Sequence, residues 1–183
     1  GSMEKASMIY LVLTSGIRSG ELRALKWADI DWLNKGIRVT KAITAEHELG
    51  PTKGKKPRGT VPPSRAFILL KQWQILSGII DPESFVFPGQ DGKSFSSSGR
   101  LRCALQNALE RTGINIDGKR NLVIHSLRHC YNTIMQDVLP PEILRLGIGH
   151  ESSAMTERYS HLTPDEIIKQ FGKKYRKVIE KTW

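Results

Sequence analysis

The apolar residues at the start of the chain and in its last two thirds recur at helical spacing. Residues 3–15 are apolar and rich in helix formers, and Gly16 is suited to end that helix in a left-handed conformation. A second helix is expected to begin near Ser19, because three apolar side chains follow at roughly helical intervals: Leu22, Leu25 and Ile30. Further helices are predicted over residues 64–76, 97–112, 124–138 and 164–180.

Between residues 36 and 62 the pattern changes from helical to alternating. Residues 36–43 alternate and are rich in β-branched side chains, and residues 59–62 repeat this pattern over a shorter stretch. Prolines and glycines in the connection predict a mobile basic loop, whose charged residues are Lys53, Lys55, Lys56 and Arg58. The chain is therefore predicted to be one α+β domain, mainly helical, with a small antiparallel β-sheet near its N-terminal third.

Composition and charge narrow the class of partner. The 183 residues are 39% hydrophobic and 25% charged, enough to bury one sizeable core. No apolar run approaches the roughly 20 residues that cross a bilayer, which argues against a membrane span. The 28 Lys and Arg residues exceed the 18 Asp and Glu residues by 10, giving a net charge of +10 and a pI near 9.8. A surface this basic attracts polyanions, and nucleic acid is the first partner that it predicts.

Cysteine usage favours a reducing compartment. The two cysteines, Cys103 and Cys130, lie far apart and form no CxxC pair, so neither a disulfide scaffold nor a structural zinc site is expected. A reducing cytoplasm is the predicted compartment. Gly1 and Ser2 are interpreted as the remnant of an expression tag.

Two short segments carry groups that could bind a phosphate. His125 and Arg128 are spaced i, i+3, so on a helix an imidazole and a guanidinium share one face; the alternative is a partly buried histidine beside a solvent-facing arginine. Arg18 lies just before a helix, where free backbone N–H groups could bind the same anion, or it could form a surface ion pair with Glu21. His125 and His129 have a metal-like spacing, but no acidic third ligand is evident, so no metal site is predicted.

Four segments, taken in order, identify a family. They are SGIRSGELRALKWADID, the lysine-rich loop, HSLRH and LGIGHESSAMTERYSHL, and a tyrosine in the last of them follows GH by nine residues. Together they closely resemble the catalytic domain of the tyrosine recombinases, or phage integrases, over nearly the entire chain. Taken alone, Tyr159 could equally be a core aromatic residue with a satisfied hydroxyl.

The resemblance implies a set of catalytic residues. In this sequence they are Arg18, Lys53, His125, Arg128, His150 and Tyr159. Arg18 and Arg128 would hold the scissile phosphate, and Tyr159 would be the nucleophile. Glu21 would support and orient the basic residues without touching DNA. Lys55 is the rival of Lys53 for the lysine role, and further DNA contacts are expected from Lys55, Lys56 and Arg58.

The implied reaction is attack by the tyrosine hydroxyl on a DNA phosphate, giving a 3′-phosphotyrosyl link and a free 5′-hydroxyl. His150 would add a hydrogen-bond donor, His125 could accept the phenol proton, and Lys53 could protonate the departing 5′-oxygen. The covalent link keeps the bond energy, so the resemblance implies no ATP, metal or other cofactor. A type IB topoisomerase-like cleavage and religation, or a DNA-binding module that has lost catalysis, are the alternatives.

The resemblance also implies partners and a larger protein. Residues 3–183 are interpreted as an excised catalytic domain, because family members normally carry a preceding core-binding domain. Expected partners are double-stranded DNA, other protomers in a tetrameric synapse and accessory DNA-bending proteins, in a bacterial or phage-encoded, nucleoid-associated system. The helix after Pro164 is expected to dock either on a neighbouring protomer or on its own domain. LGIGH has an extra Ile-Gly relative to the usual LGH, which could shift the turn before His150.

Overall fold

The computed structural model describes residues 2–52, 56–92, 94–114, 118–149 and 162–183. These residues form a mainly helical domain with small antiparallel sheets, as the sequence predicts. The helices are α1 (Ser2–Ser15), α2 (Ser19–Ala24), α3 (Ser64–Ser77), α4 (Ser98–Thr112), α5 (Ile124–Gln136), α6 (Pro141–Ile148) and α7 (Pro164–Thr182). The strands are β1 (Ile30–Asp31), β2 (Gly36–Val39), β3 (Lys41–Ile43), β4 (Leu49–Pro51) and β5 (Arg58–Thr60). No helix among the described residues is long and apolar enough to cross a bilayer.

The strands form two separate sheets. The first has the order β1-β2-β5, and Ile37 in its central strand lies opposite Ile30 on one side and Thr60 on the other. The second pairs β3 with β4, so the predicted strand over residues 36–43 is interrupted at Thr40. Both sheets are antiparallel, and β3 lies against α2.

The larger hydrophobic core surrounds α1. This helix contacts α3, α4 and α5, and its apolar side chains Met8, Leu11 and Val12 are fully buried. Side chains from the other elements complete the same cluster; they include Leu22, Ile37, Leu70, Phe87 and Leu101. Gly16 ends α1 with φ of +63°, as predicted.

The second core lies between β5, α5, α6 and α7. Its buried members include Tyr131, Met135, Ile143, Ile148, Ile167, Phe171, Tyr175 and Ile179. In this single chain, helix α7 therefore packs on its own domain rather than extending away from it. Ile179 is buried, whereas Val178, which the sequence pattern placed on the apolar face, is 43% exposed. The capping box of Thr163 and Glu166 fixes where α7 begins.

The sequence prediction was wrong for two helices. Helix α2 ends at Ala24, and Ile30 lies in β1, so Leu22, Leu25 and Ile30 do not share one helical face. Helix α6 was not predicted, because Pro140-Pro141 and Gly147 resemble loop punctuation. Proline is well tolerated in the first turn of a helix, where its missing N–H has no intrahelical partner to lose, and α6 begins on Pro141.

Gly36 sets how closely α7 approaches the first sheet. A Cβ atom at this position would lie 2.2 Å from Cγ2 of Ile168, which is fully buried. We expect Gly36→Ala to lower the free energy of unfolding by about 1–3 kcal/mol, because the helix must shift away from the strand. Urea unfolding measures this. The control Gly99→Ala, whose new methyl has its nearest neighbour at 3.6 Å, should change stability little; equal losses in both variants would contradict the close approach.

Candidate active site

Arg18 precedes α2 and is held there by Glu21. Its backbone N–H donates to Oε2 of Glu21 at 2.8 Å, and its Nη1 donates to Oε1 at 3.1 Å. The carboxylate at the third helical position thus satisfies a donor at the start of α2, where no intrahelical acceptor exists. About a quarter of the Arg18 side chain remains exposed. Arg18 therefore forms the ion pair with Glu21 and still faces solvent in part.

Helix α5 separates His125 and Arg128 by burial. Arg128 is 2% exposed, and its guanidinium donates to the backbone carbonyl of Gly16 and, at 2.5 Å, to that of Ile148. Burial, followed by the charges of Arg18 and Arg58, lowers the pKa of Arg128 to about 10, so the group stays protonated at neutral pH. His125 is exposed. The arrangement is the reverse of the alternative in which the histidine is buried and the arginine faces solvent.

Three guanidinium groups meet at the C-terminal end of α6. The last carbonyls of this helix and its cap, at residues 147, 148 and 149, each accept a hydrogen bond from a different arginine. Nε of Arg58 donates to Gly147 at 2.8 Å, Nη2 of Arg128 to Ile148 at 2.5 Å, and Nη2 of Arg18 to Gly149 at 3.3 Å. Such carbonyls lack intrahelical donors and form the negative end of the helix dipole, so they favour cations. We call Arg18, Arg58 and Arg128 the arginine cluster.

Glu21 supplies the buried negative charge of the cluster. Its carboxylate accepts from Nη1 and Nη2 of Arg58 at 2.8 and 2.6 Å, in addition to the two bonds from Arg18. Burial raises the pKa of the carboxyl. Hydrogen bonding and charge from Arg58 and Arg18 lower the pKa by more than burial raises it, so the pKa falls from 4.5 to about 2. Glu21 is therefore ionised at every physiological pH.

The position of Arg58 corrects the sequence analysis. It was grouped with Lys55 and Lys56 on the basic loop, but it belongs to β5, is 4% exposed, and directs Nε, Nη1 and Nη2 to Gly147 and Glu21 rather than to solvent. The alternation of side chains along β5 could have indicated that Arg58 is buried. Arg58 and Thr60 are two residues apart and share a face of the strand, and the Thr60 hydroxyl donates to the buried carbonyl of Ser15. Lys56, by contrast, is exposed.

His125 occupies the exposed N-terminal turn of α5. Partial burial, and then the charges of His129, Arg128 and Arg18, lower the pKa of its imidazole below the usual 6.5. The neutral form, which can accept a proton, therefore predominates at pH 7. The rings of His125 and His129 lie 4.6 Å apart and perpendicular. Within the described ranges, no group of three or more His, Cys, Asp or Glu side chains is placed to hold a metal ion.

The structure thus brings Arg18, Glu21 and Arg128 together and adds Arg58 to them. Lys53, Lys55, His150 and Tyr159 lie outside the described residues. Gly149 caps α6 in a left-handed conformation with φ of +67° and is the residue directly before His150. The extra Ile-Gly of LGIGH is therefore accommodated by α6 itself, because Ile148 is its last residue and packs in the second core.

The ionisation of Glu21 should be visible in the pH dependence of stability. Because the pKa is lower in the folded chain than in the unfolded one, Glu21 stabilises fully above about pH 4.5 and loses this effect as pH falls towards 2. One pKa unit corresponds to about 1.4 kcal/mol, so we expect Glu21→Gln to cost about 3 kcal/mol at pH 7 and progressively less in acid. Chemical denaturation between pH 2 and 7 measures this difference.

A surface ion pair provides the control for that experiment. Glu83 pairs with Lys26 at 2.9 Å, and 72% of its side chain is exposed. Glu83→Gln should change stability by less than about 1 kcal/mol at any pH. A loss in Glu21→Gln that stays constant down to pH 2 would contradict the buried, ionised carboxylate.

Known proteins with similar sequences are named as recombinases and integrases. The sequence profile of the phage integrase family matches residues 1–166. Tyrosine recombinase XerC of Xanthomonas axonopodis pv. citri (strain 306) is 28% identical over 166 residues, which cover 90% of this chain and 49% of that protein. The putative integrase/recombinase y4gC of Sinorhizobium fredii is 26% identical over 162 residues, covering 88% of this chain and 78% of that protein. The chain spans about half the length of the XerC relatives that it matches.

Solved structures share the fold. The Tn1549 transposon integrase in complex with transposon right end DNA matches with a TM-score of 0.66 at 18% identity, over 93% of this chain and 58% of that one. The XerA recombinase matches with a TM-score of 0.63 at 18% identity, over 94% of this chain and 58% of that one. These likenesses show the fold of a tyrosine recombinase catalytic domain. With a profile match over nearly its whole length, this chain belongs to the phage integrase family.

Proposed function

We propose that this chain is the catalytic domain of a site-specific DNA recombinase that cuts and rejoins strands through a 3′-phosphotyrosyl intermediate. One observation carries the proposal. Arg18 and Arg128, which are distant in sequence, converge on consecutive carbonyls at the end of α6, and His150 and Tyr159 follow this helix in the sequence. A phosphate placed there would meet both arginines.

The charge of the site suits a phosphodiester under attack. Arg18, Arg58 and Arg128 contribute three positive charges, and Glu21 removes one, which leaves a net charge of +2. The guanidinium group has five N–H donors, so Arg128 has more donors than the two bonds that it makes to carbonyls among the described residues. Paired N–H groups match two nonbridging oxygens of a phosphate, where negative charge grows in the transition state.

In the proposed reaction the phenolic oxygen of Tyr159 bonds to phosphorus as the bond from phosphorus to the 5′-oxygen breaks. The phenol proton passes to His125, whose lowered pKa keeps it neutral and able to accept. Lys53 gives a proton to the departing 5′-oxygen, and His150 donates a hydrogen bond to the phosphate. The phosphodiester is exchanged rather than hydrolysed, so a 5′-hydroxyl from another strand can reverse the step without ATP or a metal ion.

The proposed partner is double-stranded DNA. Two structural neighbours support it: the Tn1549 integrase was solved with transposon right end DNA and the XerH recombinase bound to difH substrate. The net charge of +10 favours the same partner. We further propose that residues 3–183 act beside a core-binding domain that closes around the duplex. Four protomers would form the synapse, with accessory DNA-bending proteins, on the nucleoid of a bacterial host.

The test is covalent trapping on nicked DNA. The chain is incubated with a library of duplexes with randomised arms, each nicked so that the short fragment with the new 5′-hydroxyl diffuses away. We expect a protein–DNA adduct in which protein is joined to a 3′-phosphate. Cut DNA without an adduct, or no cutting across the library, would overturn the proposal. Joining of two marked duplexes separates recombination from topoisomerase-like religation, which relaxes supercoils without joining sites.

A further inference from the structure

Arg58 is the member of the arginine cluster that makes no phosphate contact in the proposed reaction. Its side chain is only 5% exposed, and Glu21, which it binds, is 1% exposed. All three nitrogens of the guanidinium donate hydrogen bonds. Nη1 and Nη2 donate to the two oxygens of Glu21, and Nε donates to the carbonyl of Gly147. It therefore joins three separate elements of the fold: β5, α2 and the end of α6.

We infer that Arg58 is a positioning residue for strand cleavage, which holds Glu21 against Arg18 and fixes the end of α6 from which the chain continues to His150. This inference rests on the proposed function, because it assigns a role within that reaction. Arg58 itself does not touch the DNA phosphate.

Arg58 positions Arg18 through Glu21. The two Glu21 oxygens that receive Nη1 and Nη2 of Arg58 are the same two that receive the Nη1 and the backbone N–H of Arg18. Losing Arg58 leaves the carboxylate able to turn, and Arg18 loses a fixed acceptor. The direction of the Arg18 guanidinium thus depends on a side chain that is far away in sequence.

Arg58 also positions the backbone at the end of α6. A Cβ atom built on Gly149 would lie 3.4 Å from Nη1 and Cδ of Arg58 and 3.5 Å from Nη1 of Arg18. The backbone at Gly149 therefore rests directly against both guanidinium groups, and Arg58 also holds the carbonyl of Gly147. A small displacement of Arg58 is transmitted to the residue that precedes His150. Displacement of reacting groups by about 1 Å can slow a reaction about 100-fold.

Lysine cannot reproduce this arrangement. Its ammonium is a single point at the end of a flexible stem, so it can approach the carboxylate but cannot also present a donor to Gly147 from a fixed plane. Arg58→Lys keeps the positive charge that Glu21 needs while removing the fork. It therefore separates a requirement for charge from a requirement for geometry.

A second arginine fork that binds a buried glutamate gives a control. Nη2 of Arg100 donates to both oxygens of Glu4 at 2.6 Å, and its Nη1 donates to the carbonyl of Pro88. Glu4 is buried, and this pair joins α4 to α1 on elements other than those that meet in the arginine cluster. Arg100→Lys makes the same chemical change, so it reports the structural cost of losing an arginine fork.

The experiment measures single-turnover adduct formation by the chain on saturating nicked DNA, with the affinity for uncut DNA measured separately. We expect Arg58→Lys to cleave about 100-fold more slowly while its affinity changes by less than about threefold, because only the transition-state geometry is lost. Arg100→Lys should cleave within about threefold of the parent rate. Thermal unfolding confirms that both variants are folded at the assay temperature.

A readout without DNA tests the positioning of Arg18 separately from the proposed function. The backbone amide proton of Arg18, which donates to Glu21, is followed by NMR. Its chemical shift should move in Arg58→Lys and stay in Arg100→Lys. An unchanged shift, a cleavage rate equal to that of the parent, or a defect confined to DNA affinity would overturn the inference. Absence of adduct with the parent chain would instead overturn the proposed function, and the NMR result would still decide whether Arg58 holds Arg18.

Discussion

Tyr159→Phe is expected to abolish the covalent protein–DNA adduct while leaving folding and DNA binding intact. Phenylalanine keeps the aromatic ring but lacks the oxygen that must bond to phosphorus, so this residue can no longer form a covalent link at any rate. The measurement is adduct formation on the nicked substrate, followed by peptide mapping of the DNA-linked residue in the parent chain. The adduct should map to Tyr159.

The other three tyrosines supply the controls. Tyr131 is buried, and burial raises the pKa of its hydroxyl to about 12, which makes its oxygen a poor nucleophile. The Tyr10 hydroxyl is buried and has no hydrogen-bond partner within the part of the chain that the structure describes. Tyr10→Phe makes the same chemical change as Tyr159→Phe and should retain both fold and cleavage. An adduct on Tyr10, Tyr131 or Tyr175 would show that the nucleophile was assigned wrongly.

Lys53→Ala is expected to slow cleavage of ordinary DNA about 100- to 10,000-fold, the range typical of a lost general acid. Without a proton the 5′-oxygen must leave as a basic alkoxide. When sulfur replaces that bridging oxygen, the leaving group is a thiolate of far lower basicity, which departs without a proton. The defect of Lys53→Ala should therefore largely disappear on the 5′-bridging phosphorothiolate substrate.

Two further variants distinguish loss of the general acid from other defects. Arg18→Ala should stay slow on the sulfur substrate, because its proposed role is to hold the nonbridging oxygens. Lys55→Ala should mainly weaken binding, and its cleavage at saturating DNA should stay close to the parent rate. Sulfur rescue of Lys55→Ala with none for Lys53→Ala would move the general acid by two residues along the loop.

The sequence predicts most of the helices. Those with a long apolar periodicity were predicted within one or two residues at each end, because burial of one face dominates their stability. Helix α6 was missed, since it is only eight residues long and contains a glycine next to its last residue. Its stability comes from Ile143, Leu144 and Ile148 in the second core and from the arginines at its end, none of which a local pattern reveals.

Helix α7 shows a second kind of limit. Its periodicity predicted an apolar face but not what would cover that face. In the folded chain the face covers β5 and the second core, and Gly36 allows Ile168 to approach the first sheet. The pattern also chose Val178 where the fold buries Ile179, because a straight 3.6-residue count does not show which edge of the face meets a neighbour.

The sequence by itself determined the residue types and their order: the arginine before α2, the histidine and arginine of HSLRH, and the family that these motifs identify. Those are local facts, fixed by spacing along one helix or turn. Tertiary structure decided which of the charged groups are buried. Arg58 and Arg128 enter the interior because Glu21 and the terminal carbonyls of α6 lie there to receive them, and only the packing of α2, β5 and α6 brings those acceptors to one place.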